Sequence, residues 1–511
     1  MSDSRAIVLI GFMGSGKTTA ATRLAAERGL HAIDLDRVIE ERAGATVAEL
    51  FARDGERAFR ALEEELACEV LAGAGRGEVV SLGGGSVTSD RVRAALAEHL
   101  VVWLDVDPAL AWRRVADSDR PLARDRAAFD ALHAERSALY GSTADVVAPV
   151  SAGLNLGRLH DALDRLRLAP EGTRLLWAVS DSAEYPVWIG RGILGCDLWP
   201  FPRPPARRFC VTDEHVAALW LESIGEVDGL VVIAPGEPSK SIAQAERVWR
   251  ELAAAGMTRG DHVVALGGGV VGDLAGFCAA TYQRGVPVVQ VPTTLAAQVD
   301  SAYGGKTGVD LPEAKNYVGV YHQPAAVIAD PAVLETLPRE ESSAGYAEVI
   351  KTALIAGGTL WERVAADLPI DDDVIFACAR AKLAVVAADE RDGGRRQVLN
   401  LGHTVGHAIE TVTGYRRYRH GEAVGLGLLA ALSLSEQREL RARVAELLTA
   451  HGLPTRAGEL DADAVVAATQ RDKKRVGATV PFVLVDGPGA VRHGGEVTGA
   501  QLAAAVAELC A

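Results

Sequence analysis

The alternation of apolar and polar residues divides the chain near residue 170. Residues 6–10 form a continuous apolar run of strand length, and a helical pattern begins at residue 19. Helical periodicity returns over residues 159–168 and is broken at Pro170 and Gly172. We therefore predict a first domain over residues 1–166 and a linker over residues 167–174.

From residue 175 the pattern changes to short apolar runs separated by turns. These runs predict strands that alternate with helices such as residues 242–255, which favours an α/β domain of the dinucleotide-binding type over residues 175–337. A longer apolar run covers residues 423–434. Because it is too short to span a bilayer, we expect it to form a buried helix.

Composition and charge narrow the class of protein. A chain of 511 residues, 49% hydrophobic and 24% charged, is expected to fold as two to four globular domains. The formal net charge of −15 argues against a general nucleic-acid-binding role, so an anionic substrate must be met by local groups of Lys and Arg.

The six cysteines show no CxxC pair and are expected to be core thiols. The first apolar run is too short for a signal sequence or membrane span, so we expect a cytoplasmic protein with no membrane partner.

A phosphate-binding motif follows the first apolar run. Residues 11–18, GFMGSGKT, satisfy the GxxxxGK[ST] pattern of a P-loop. Glycines let backbone N–H groups surround phosphate oxygens, Lys17 reaches the outer phosphates, and Thr18 offers a hydroxyl group to Mg²⁺. The predicted nucleotide-binding residues here are Gly14, Ser15, Gly16, Lys17, Thr18 and Thr19.

The motifs that follow indicate the second substrate. They are I-D-L-D, G-E-R-A-F-R, S-L-G-G-G-S, R-P-L and L-H-A-E-R-S-A-L-Y, in that order. Together with the P-loop they resemble shikimate kinase over about the first 165 residues, and the resemblance implies a parallel sheet with flanking helices. A small hydroxy acid needs bidentate guanidinium contacts for its carboxylate, which agrees with the arginines in these motifs.

The resemblance to shikimate kinase also assigns roles. It implies that Asp36 orients the acceptor hydroxyl group, that Lys17 and Arg120 assist phosphoryl transfer from ATP, and that Asp34 supports Mg²⁺ indirectly. The substrate carboxylate would be held by Arg60, Arg136 and the backbone of Gly84, and Arg114 would contact adenine. The alternatives are surface arginines, another P-loop kinase for small metabolites, or a nucleotide-sensing module without turnover.

Histidines in the second part have the spacing of a metal site. His403 and His407 are four residues apart, so in a helix both imidazoles project from one face, and His420 can return past a turn at Gly414. The simpler interpretation is a pair of core or surface histidines. A catalytic zinc site needs three protein ligands of mixed His and carboxylate type and an open position.

A glycine-rich turn precedes these histidines in the chain. Residues 262–277, H-V-V-A-L-G-G-G-V-V-G-D-L-A-G-F, predict a strand that runs into glycines and then a helix, although the spacing is not GxGxxG. With V-P-T-T-L, Y-G-G-K-T-G, A-G-Y-A-E-V-I-K, D-E-R-D-G-G-R-R and the histidine stretch, the order of motifs resembles 3-dehydroquinate synthase over residues 175–490.

This resemblance implies a mainly helical domain over residues 338–511 and an NAD- and zinc-dependent (or cobalt-dependent) reaction. Zinc would bind Glu348, His403 and His420, with His407, Asp300 and Lys306 as catalytic residues. The implied NAD-binding residues are Gly236, Glu237, Lys240, Ser241, Gly269, Val270, Val271, Gly272, Asp273, Thr293, Thr294, Lys306, Lys315 and Thr336. The implied sugar-acid phosphate-binding residues are Arg284, Asn316, Lys351, Lys382, Arg396, Asn400, His407 and Lys474.

The two resemblances together imply a bifunctional enzyme of aromatic precursor biosynthesis, and a homodimer formed through the synthase part. One departure from the family pattern is Asp392, where Glu is expected in D-E-R-E-x-G. The alternatives for the second part are a related sugar-phosphate cyclase or a metal-dependent polyol dehydrogenase. Lys306, Asn316 and Lys474 argue against a plain dehydrogenase, because they would bind the phosphate.

Overall fold

The computed structural model describes residues 4–116, 125–150, 154–312, 314–469 and 481–510. Its contacts divide the chain into two compact units. The first unit comprises Met1–Val179, Glu184–Trp188 and Cys196–Leu198, and the second comprises Ser180–Ala183, Ile189–Gly195 and Trp199–Ala511. Among the residues that the structure describes, no helix is both long and apolar enough to cross a membrane.

The first unit is an α/β domain built on parallel strands. Its elements are β1 (Ile7–Ile10), α1 (Lys17–Arg28), β2 (His31–Asp34), α2 (Leu35–Ala43), α3 (Val47–Gly73), β3 (Glu78–Ser81), α4 (Asp90–Leu96), β4 (Leu100–Asp105), α5 (Pro108–Val115), α6 (Arg126–Thr143), β5 (Val146–Pro149), α7 (Leu156–Leu166), β6 (Arg174–Val179) and β7 (Glu184–Ile189).

The strands of this unit are ordered β2-β3-β1-β4-β5-β6-β7. All pairs from β2 to β6 are parallel, for example Val8 of β1 opposite Val80 of β3 and Val101 of β4. Parallel strands need both faces covered, which explains why β1 is buried throughout its length. Their carboxyl ends share one edge, and the loop after β1 lies at that edge.

The first unit extends beyond the linker predicted at residues 167–174. Strand β6 pairs with β5, with Leu175 opposite Val146 and Leu176 opposite Val147, so this stretch adds to the first sheet. Leu175 and Leu176 are buried. The local pattern predicts a new domain at residue 175 because it carries no information about which strand this apolar run pairs with.

The second unit begins with another α/β domain. Its elements are β8 (Arg208–Asp213), α8 (Glu214–Trp220), β9 (Gly229–Ile233), α9 (Ile242–Ala254), β10 (His262–Gly267), α10 (Gly269–Thr281), β11 (Val288–Pro292), β12 (Lys306–Leu311), β13 (Ala314–Tyr321) and β14 (Ala326–Ala329). Strands β14-β11-β10-β8-β9 lie side by side and parallel. Strands β12 and β13 form a separate antiparallel hairpin.

The rest of the second unit is mainly helical. Its elements are α11 (Arg339–Ala356), α12 (Gly358–Ala365), α13 (Asp372–Ala388), α14 (His403–Val412), α15 (His420–Leu434), α16 (Arg438–Ala450), α17 (Ala462–Thr469), β15 (Phe482–Gly487), β16 (Ala490–Gly495) and α18 (Gly499–Cys510). Helix α15 is buried from Ala423 to Leu432, which confirms the buried helix predicted over residues 423–434. The predicted fold class, a P-loop domain followed by an α/β domain and a helical domain, is thereby confirmed.

Candidate active sites

The loop between β1 and α1 has the backbone geometry of a phosphate site. Gly14 and Gly16 have φ angles of 80° and 86°, which side-chain-bearing residues rarely adopt. A Cβ atom at Gly14 would also lie 2.9 Å from the carbonyl oxygen of Ala111. The Lys17 ammonium folds back over the loop and donates to the carbonyls of Gly11 at 2.8 Å and Phe12 at 3.2 Å.

A cavity of about 620 Å³ opens beside this loop. Asp34 and Asp36 line it together with Gly84, Arg114 and the P-loop. Asp34 accepts a hydrogen bond from the backbone N–H of Asp36 at 3.0 Å and caps α2. Arg114 donates to the Gly14 carbonyl at 2.8 Å. The structure therefore gathers the predicted phosphate-binding and hydroxyl-orienting groups around one cavity.

The two predicted carboxylate-binding arginines lie in different settings. Arg136 is 5% exposed and donates to the Gly84 carbonyl at 3.2 Å, so it lies against the cavity wall. Arg60 pairs with Glu63 at 2.5 Å and lines a neighbouring groove with Gly85. Arg120 lies outside the described residues.

In the second unit, the glycine-rich turn joins β10 to α10. A Cβ atom at Gly267 would lie 2.6 Å from side-chain atoms of Val271, and one at Gly268 would lie 2.8 Å from Thr294. These glycines let the helix begin directly against the strand ends, where its N-terminal N–H groups can meet a pyrophosphate. Thr293 is buried next to Thr294, and its hydroxyl group has no hydrogen-bond partner among the described residues.

Charged residues predicted to bind the dinucleotide form ion pairs with one another. Lys240 is 5% exposed and its ammonium lies 2.6 Å from the Asp273 carboxylate. Burial by itself lowers the pKa of Lys240, but Asp273 and Glu237 raise it above its usual range. Lys315 lies 3.3 Å from Glu237, and Ser241 caps α9.

Other predicted dinucleotide residues occupy the ends of neighbouring elements. Gly269, Val270, Val271 and Gly272 form the first turn of α10. Gly236 has a φ angle of 93° and precedes the turn that carries Glu237. The Thr336 hydroxyl group accepts a hydrogen bond from the indole N–H of Trp220 at 3.1 Å.

Three helices bring the predicted metal ligands together. Glu348 lies on α11, His403 opens α14 and His420 opens α15. The Glu348 Oε1 atom is 3.4 Å from His420 Nε2 and 3.7 Å from His403 Nε2, and one ligand atom from each residue lies within 4.8 Å of the others. Zinc bonds of about 2.0–2.2 Å place the ligand atoms of a tetrahedral site roughly 3.4 Å apart. The set therefore fits a zinc ion.

The orientation of His403 agrees with this geometry. Its Nδ1 atom is 3.1 Å from the carbonyl oxygen of Leu401, and because a carbonyl only accepts, Nδ1 carries the proton. Nε2 then presents its lone pair towards Glu348. His407 lies one turn later, with its ring centroid 5.3 Å from that of His403.

Next to the metal set is a buried group of alternating charges. Lys351 lies 2.5 Å from Glu348 and 2.6 Å from Asp300, and Lys382 also pairs with Asp300. Burial raises the pKa of Glu348, but Lys351 and the hydrogen bond with His420 hold it well below its usual range. Burial is the main cause of the lowered pKa of Lys382. Burial also raises the pKa of Asp300, but Lys351 and Lys382 hold it below its usual range, so both carboxylates are ionised at neutral pH.

The other residues predicted to bind the sugar-acid phosphate differ in their burial and in their contacts. Arg396 is 1% exposed and donates to the carbonyls of Glu390 and Gly304, and Asn400 donates to the Gln397 carbonyl. Arg284 is exposed, and within the described residues no hydrogen bond or ion pair joins it to the metal set. Lys474 lies outside the described residues.

Lys306 and Asn316 lie on the β12–β13 hairpin. The Lys306 ammonium is 2.6 Å from Asp392, the residue that departs from the family pattern. Asn316 has a φ angle of 51°, and its backbone N–H donates to Asp310 at 2.7 Å.

Sequence reasoning missed Glu410. Its carboxylate lies 2.9 Å from the Lys315 ammonium and 3.4 Å from His420 Nδ1. Glu410 follows His403 by seven residues, a spacing that places both on one face of a helix. That spacing was the only sequence signal for a role of Glu410 near the histidines. It is a weak signal, because an acidic residue on a helix is usually solvent-exposed.

Fold and site together define a P-loop domain joined to an α/β domain and a helical domain that carries a three-ligand metal set. Residues 13–154 match the family model for shikimate kinase. Residues 230–344 match the N-terminal model and residues 345–475 the C-terminal model for 3-dehydroquinate synthase.

Individual relatives agree. The chain is 44% identical over 336 residues to 3-dehydroquinate synthase from Nitrobacter hamburgensis, covering 60% of this chain and 88% of that protein. The chain is also similar to the solved structure of 2-epi-5-epi-valiolone synthase from Streptomyces hygroscopicus subsp. jinggangensis 5008 with NAD⁺ and Zn²⁺ bound. The TM-score is 0.58 at 27% sequence identity, and the match covers 65% of this chain and 99% of that one. For 2-deoxy-scyllo-inosose synthase complexed with carbaglucose-6-phosphate, NAD⁺ and Co²⁺, the TM-score is 0.59 at 24% identity, with 66% and 99% covered.

The chain belongs to the 3-dehydroquinate synthase family, and its N-terminal part carries a shikimate kinase domain. It is therefore an enzyme in which kinase and dehydroquinate-forming activities are fused. Both predicted resemblances are confirmed at the level of the family.

Proposed function

We propose that the first unit transfers the γ-phosphoryl group of ATP, with Mg²⁺, to the 3-hydroxyl group of shikimate. This proposal rests on one cavity, which is lined by the P-loop, by Asp34 and Asp36, and by Gly84, the residue whose carbonyl Arg136 contacts. Lys17 neutralises the migrating phosphate, and Thr18 and Asp34 serve the magnesium site. Asp36 orients the acceptor hydroxyl group and accepts its proton.

Recognition of the acid rests on Arg136. A buried guanidinium group favours a carboxylate strongly, because the charge-assisted hydrogen bonds form away from water. Arg60 can contribute only if its ion pair with Glu63 at 2.5 Å rearranges or if it acts through that pair. The acid therefore relies mainly on Arg136 in the geometry described.

We propose that the second unit converts 3-deoxy-D-arabino-heptulosonate 7-phosphate into 3-dehydroquinate with loss of phosphate. This proposal rests on the positions of Glu348, His403 and His420, whose ligand atoms are spaced as in a tetrahedral metal site. The buried ion pairs of Lys351 and Lys382 with Asp300 lie beside them. When bound, zinc would supply Lewis acidity, and NAD would take a hydride from the substrate and later return it.

The residues of the chain then hold the substrate and its charges. Lys382 and Arg396 suit the substrate carboxylate, and Lys306, Asn316 and His407 suit the phosphate. Asp300 keeps Lys351 and Lys382 in place, since it contacts both. Ring closure after phosphate loss needs a single conformer held in position.

A related sugar-phosphate cyclase is the second candidate for this unit, since the similar solved structures include 2-epi-5-epi-valiolone synthase. The two candidates differ in whether the substrate carries a carboxylate. Lys382 and Arg396 are cationic and buried, which favours an acid. We also propose that the enzyme is a homodimer through this unit, which sedimentation analysis tests directly.

The test uses purified full-length protein loaded with zinc and NAD. We expect phosphate release with 3-deoxy-D-arabino-heptulosonate 7-phosphate and formation of 3-dehydroquinate, with no net NADH. Turnover of neutral sugar phosphates without turnover of the acid would favour the other cyclases, and net NADH would favour a dehydrogenase. ATP consumption that depends on shikimate tests the first unit in the same preparation.

A further inference from the structure

The imidazole of His420 lies between two carboxylates. Its Nε2 atom is 3.4 Å from Glu348 Oε1, and its Nδ1 atom is 3.4 Å from Glu410 Oε1. The Glu410 side chain is 2% exposed, and the same oxygen lies 2.9 Å from the Lys315 ammonium. Glu410 therefore contacts a candidate metal ligand on one side and a candidate dinucleotide residue on the other.

This arrangement determines which nitrogen of His420 can bind a metal. An ionised carboxylate only accepts hydrogen bonds, so Nδ1 must carry the proton that it shares with Glu410. Nε2, which faces Glu348, is then the nitrogen left to bind a metal, once it has no proton of its own. His403 is arranged in the same way: its Nδ1–H donates to the Leu401 carbonyl, and its Nε2 faces Glu348. A metal-binding histidine commonly donates its other ring N–H to a carboxylate or carbonyl group, which fixes the ring and raises its basicity.

A competing arrangement is a metal ion held by Glu410 itself. Ligand atoms of His407, Glu410 and His420 also lie within 4.8 Å of one another. The Lys315 ammonium argues against this arrangement, because it already contacts the Glu410 oxygen at 2.9 Å and would repel a divalent cation there. Glu348 also has a neighbouring lysine, Lys351, but the charge of that lysine is shared with a second carboxylate, that of Asp300.

We infer that Glu410 is a positioning residue for zinc: it orients His420 through Nδ1, and Lys315 holds the Glu410 carboxylate in place. The inference rests on the proposed zinc site of Glu348, His403 and His420. It adds a residue that does not touch zinc but determines how tightly zinc binds. It also connects the β12–β13 hairpin, through Lys315, to the metal site.

The experiment compares Glu410→Gln with Glu348→Gln and with the control Glu422→Gln in the full chain. Glu422 lies on α15, two residues after His420, but its carboxylate caps the helix at the Arg419 N–H at 2.9 Å. Zinc dissociation constants are measured by competition with a chromogenic chelator, and the visible spectrum is recorded after Co²⁺ substitution. Thermal unfolding of the metal-free proteins reports whether each variant folds.

We expect Glu410→Gln to weaken zinc roughly 10- to 100-fold and to keep a tetrahedral Co²⁺ spectrum, since all three ligands remain. Glu348→Gln should weaken zinc further and change the spectrum, and Glu422→Gln should bind zinc as the unmodified protein does. If Glu410→Gln does not fold, Glu410→Asp serves, because it keeps the charge but withdraws it from Nδ1, and it should also weaken zinc.

Two outcomes would overturn the inference in distinguishable ways. Unchanged zinc affinity in a folded Glu410→Gln or Glu410→Asp protein would show that Glu410 does not position His420. Loss of zinc and of the tetrahedral spectrum in Glu410→Gln, with Glu348→Gln unaffected, would place the metal on Glu410 and also refute the proposed zinc site. Weakening in Glu348→Gln alone would leave that site standing and refute only the role of Glu410.

Discussion

Gly421→Ala is expected to open the metal site without removing a ligand. Gly421 follows His420 on α15, where the helix crosses α11. A Cβ atom at this position would lie 1.9 Å from the carbonyl oxygen of Ala344, which is backbone and cannot turn away. Ala344 is one helical turn before Glu348 on α11. The contact between these helices therefore determines how far His420 lies from Glu348.

The size of the effect follows from these distances. A carbon and an oxygen atom in contact are roughly 3.3 Å apart, so the two helices must separate locally by about 1.4 Å. Adding that displacement to the 3.4 Å between Glu348 Oε1 and His420 Nε2 gives about 4.8 Å. A tetrahedral zinc ion tolerates ligand distances only within about 0.2 Å of their normal values. One of the two ligands must then be lost or strained, and we expect zinc affinity to fall at least about 100-fold.

The free energy of unfolding of the metal-free protein should change by less than the roughly 2.7 kcal/mol to which a 100-fold loss of zinc affinity corresponds. Overpacking costs about 1–3 kcal/mol, and replacing Gly by Ala inside a helix returns about 1 kcal/mol. Gly425→Ala is the matched control on the same helix, because its Cβ atom would meet only the Leu448 side chain, at 3.1 Å. It carries the same gain in helix propensity but leaves the contact between α11 and α15 unchanged.

The assay is chelator competition for zinc, with thermal unfolding of both variants. Gly421→Ala should fold yet bind zinc weakly, and Gly425→Ala should bind zinc as the unmodified protein does. Zinc affinity within threefold of the unmodified protein in a folded Gly421→Ala variant would refute the reasoning. It would mean that the helix ends adjust without moving Glu348 and His420 apart.

Other variants test the remaining assignments. Arg136→Ala should raise the apparent KM for shikimate far more than that for ATP, by about 2 to 4 kcal/mol of lost binding, and equal losses in steady-state kinetics would contradict a carboxylate role. Lys17→Ala should abolish phosphoryl transfer and spare dehydroquinate formation when both activities are assayed, whereas loss of both would show that the sites are coupled. Asp392→Glu should leave the synthase active, because the longer carboxylate still reaches Lys306, and an inactive but folded variant would show that this loop has diverged from the family. His262 is 1% exposed, and burial together with the Arg208 charge lowers its pKa to about 4, so the unfolded chain binds an extra proton below pH 6.5. The free energy of unfolding should therefore fall by about 3 kcal/mol as the pH drops from about 6.5 to about 4. His262→Leu should remove that part of the pH dependence in denaturant titrations. An unchanged pH profile would contradict the lowered pKa of His262.

The sequence predicted those parts of the fold that local pattern determines. An apolar run, a P-loop and a helix are contiguous, so their order alone gives the geometry of β1, the loop and α1. The pairing of β6 with β5 joins residues far apart in the chain, and no local signal reveals it. The predicted linker therefore fell where periodicity breaks, and the first compact unit continues to Val179.

The candidate metal site was predictable for a different reason. His403 and His407 share a helical face by spacing, and a turn at Gly414 can return His420 to them. The choice of Glu348, His403 and His420 as ligands came from the resemblance to a family, and the structure brings these three residues within ligand distance. Side-chain pairing within the sites was less predictable. The pairing of Arg60 with Glu63 had a signal in their spacing of three residues on α3, but that spacing did not show that the pair would compete with a role for Arg60 in binding a carboxylate. The contact of Glu410 with His420 had no such signal, because it depends on α15 returning His420 to Glu410.

Charge balance shows what a metal ion would add at the proposed site if the substrate is an anion. Lys351 and Lys382 bring two positive charges to the centre of the second unit, and Asp300 and Glu348 bring two negative ones. These four buried side chains therefore have no net charge to offer to a carboxylate or a phosphate. A divalent ion on Glu348 would change that balance, because it would withdraw this carboxylate from Lys351 and add its own charge. The two lysines would then face Asp300 alone, and the field at the site would become positive, as the proposed anionic substrate requires.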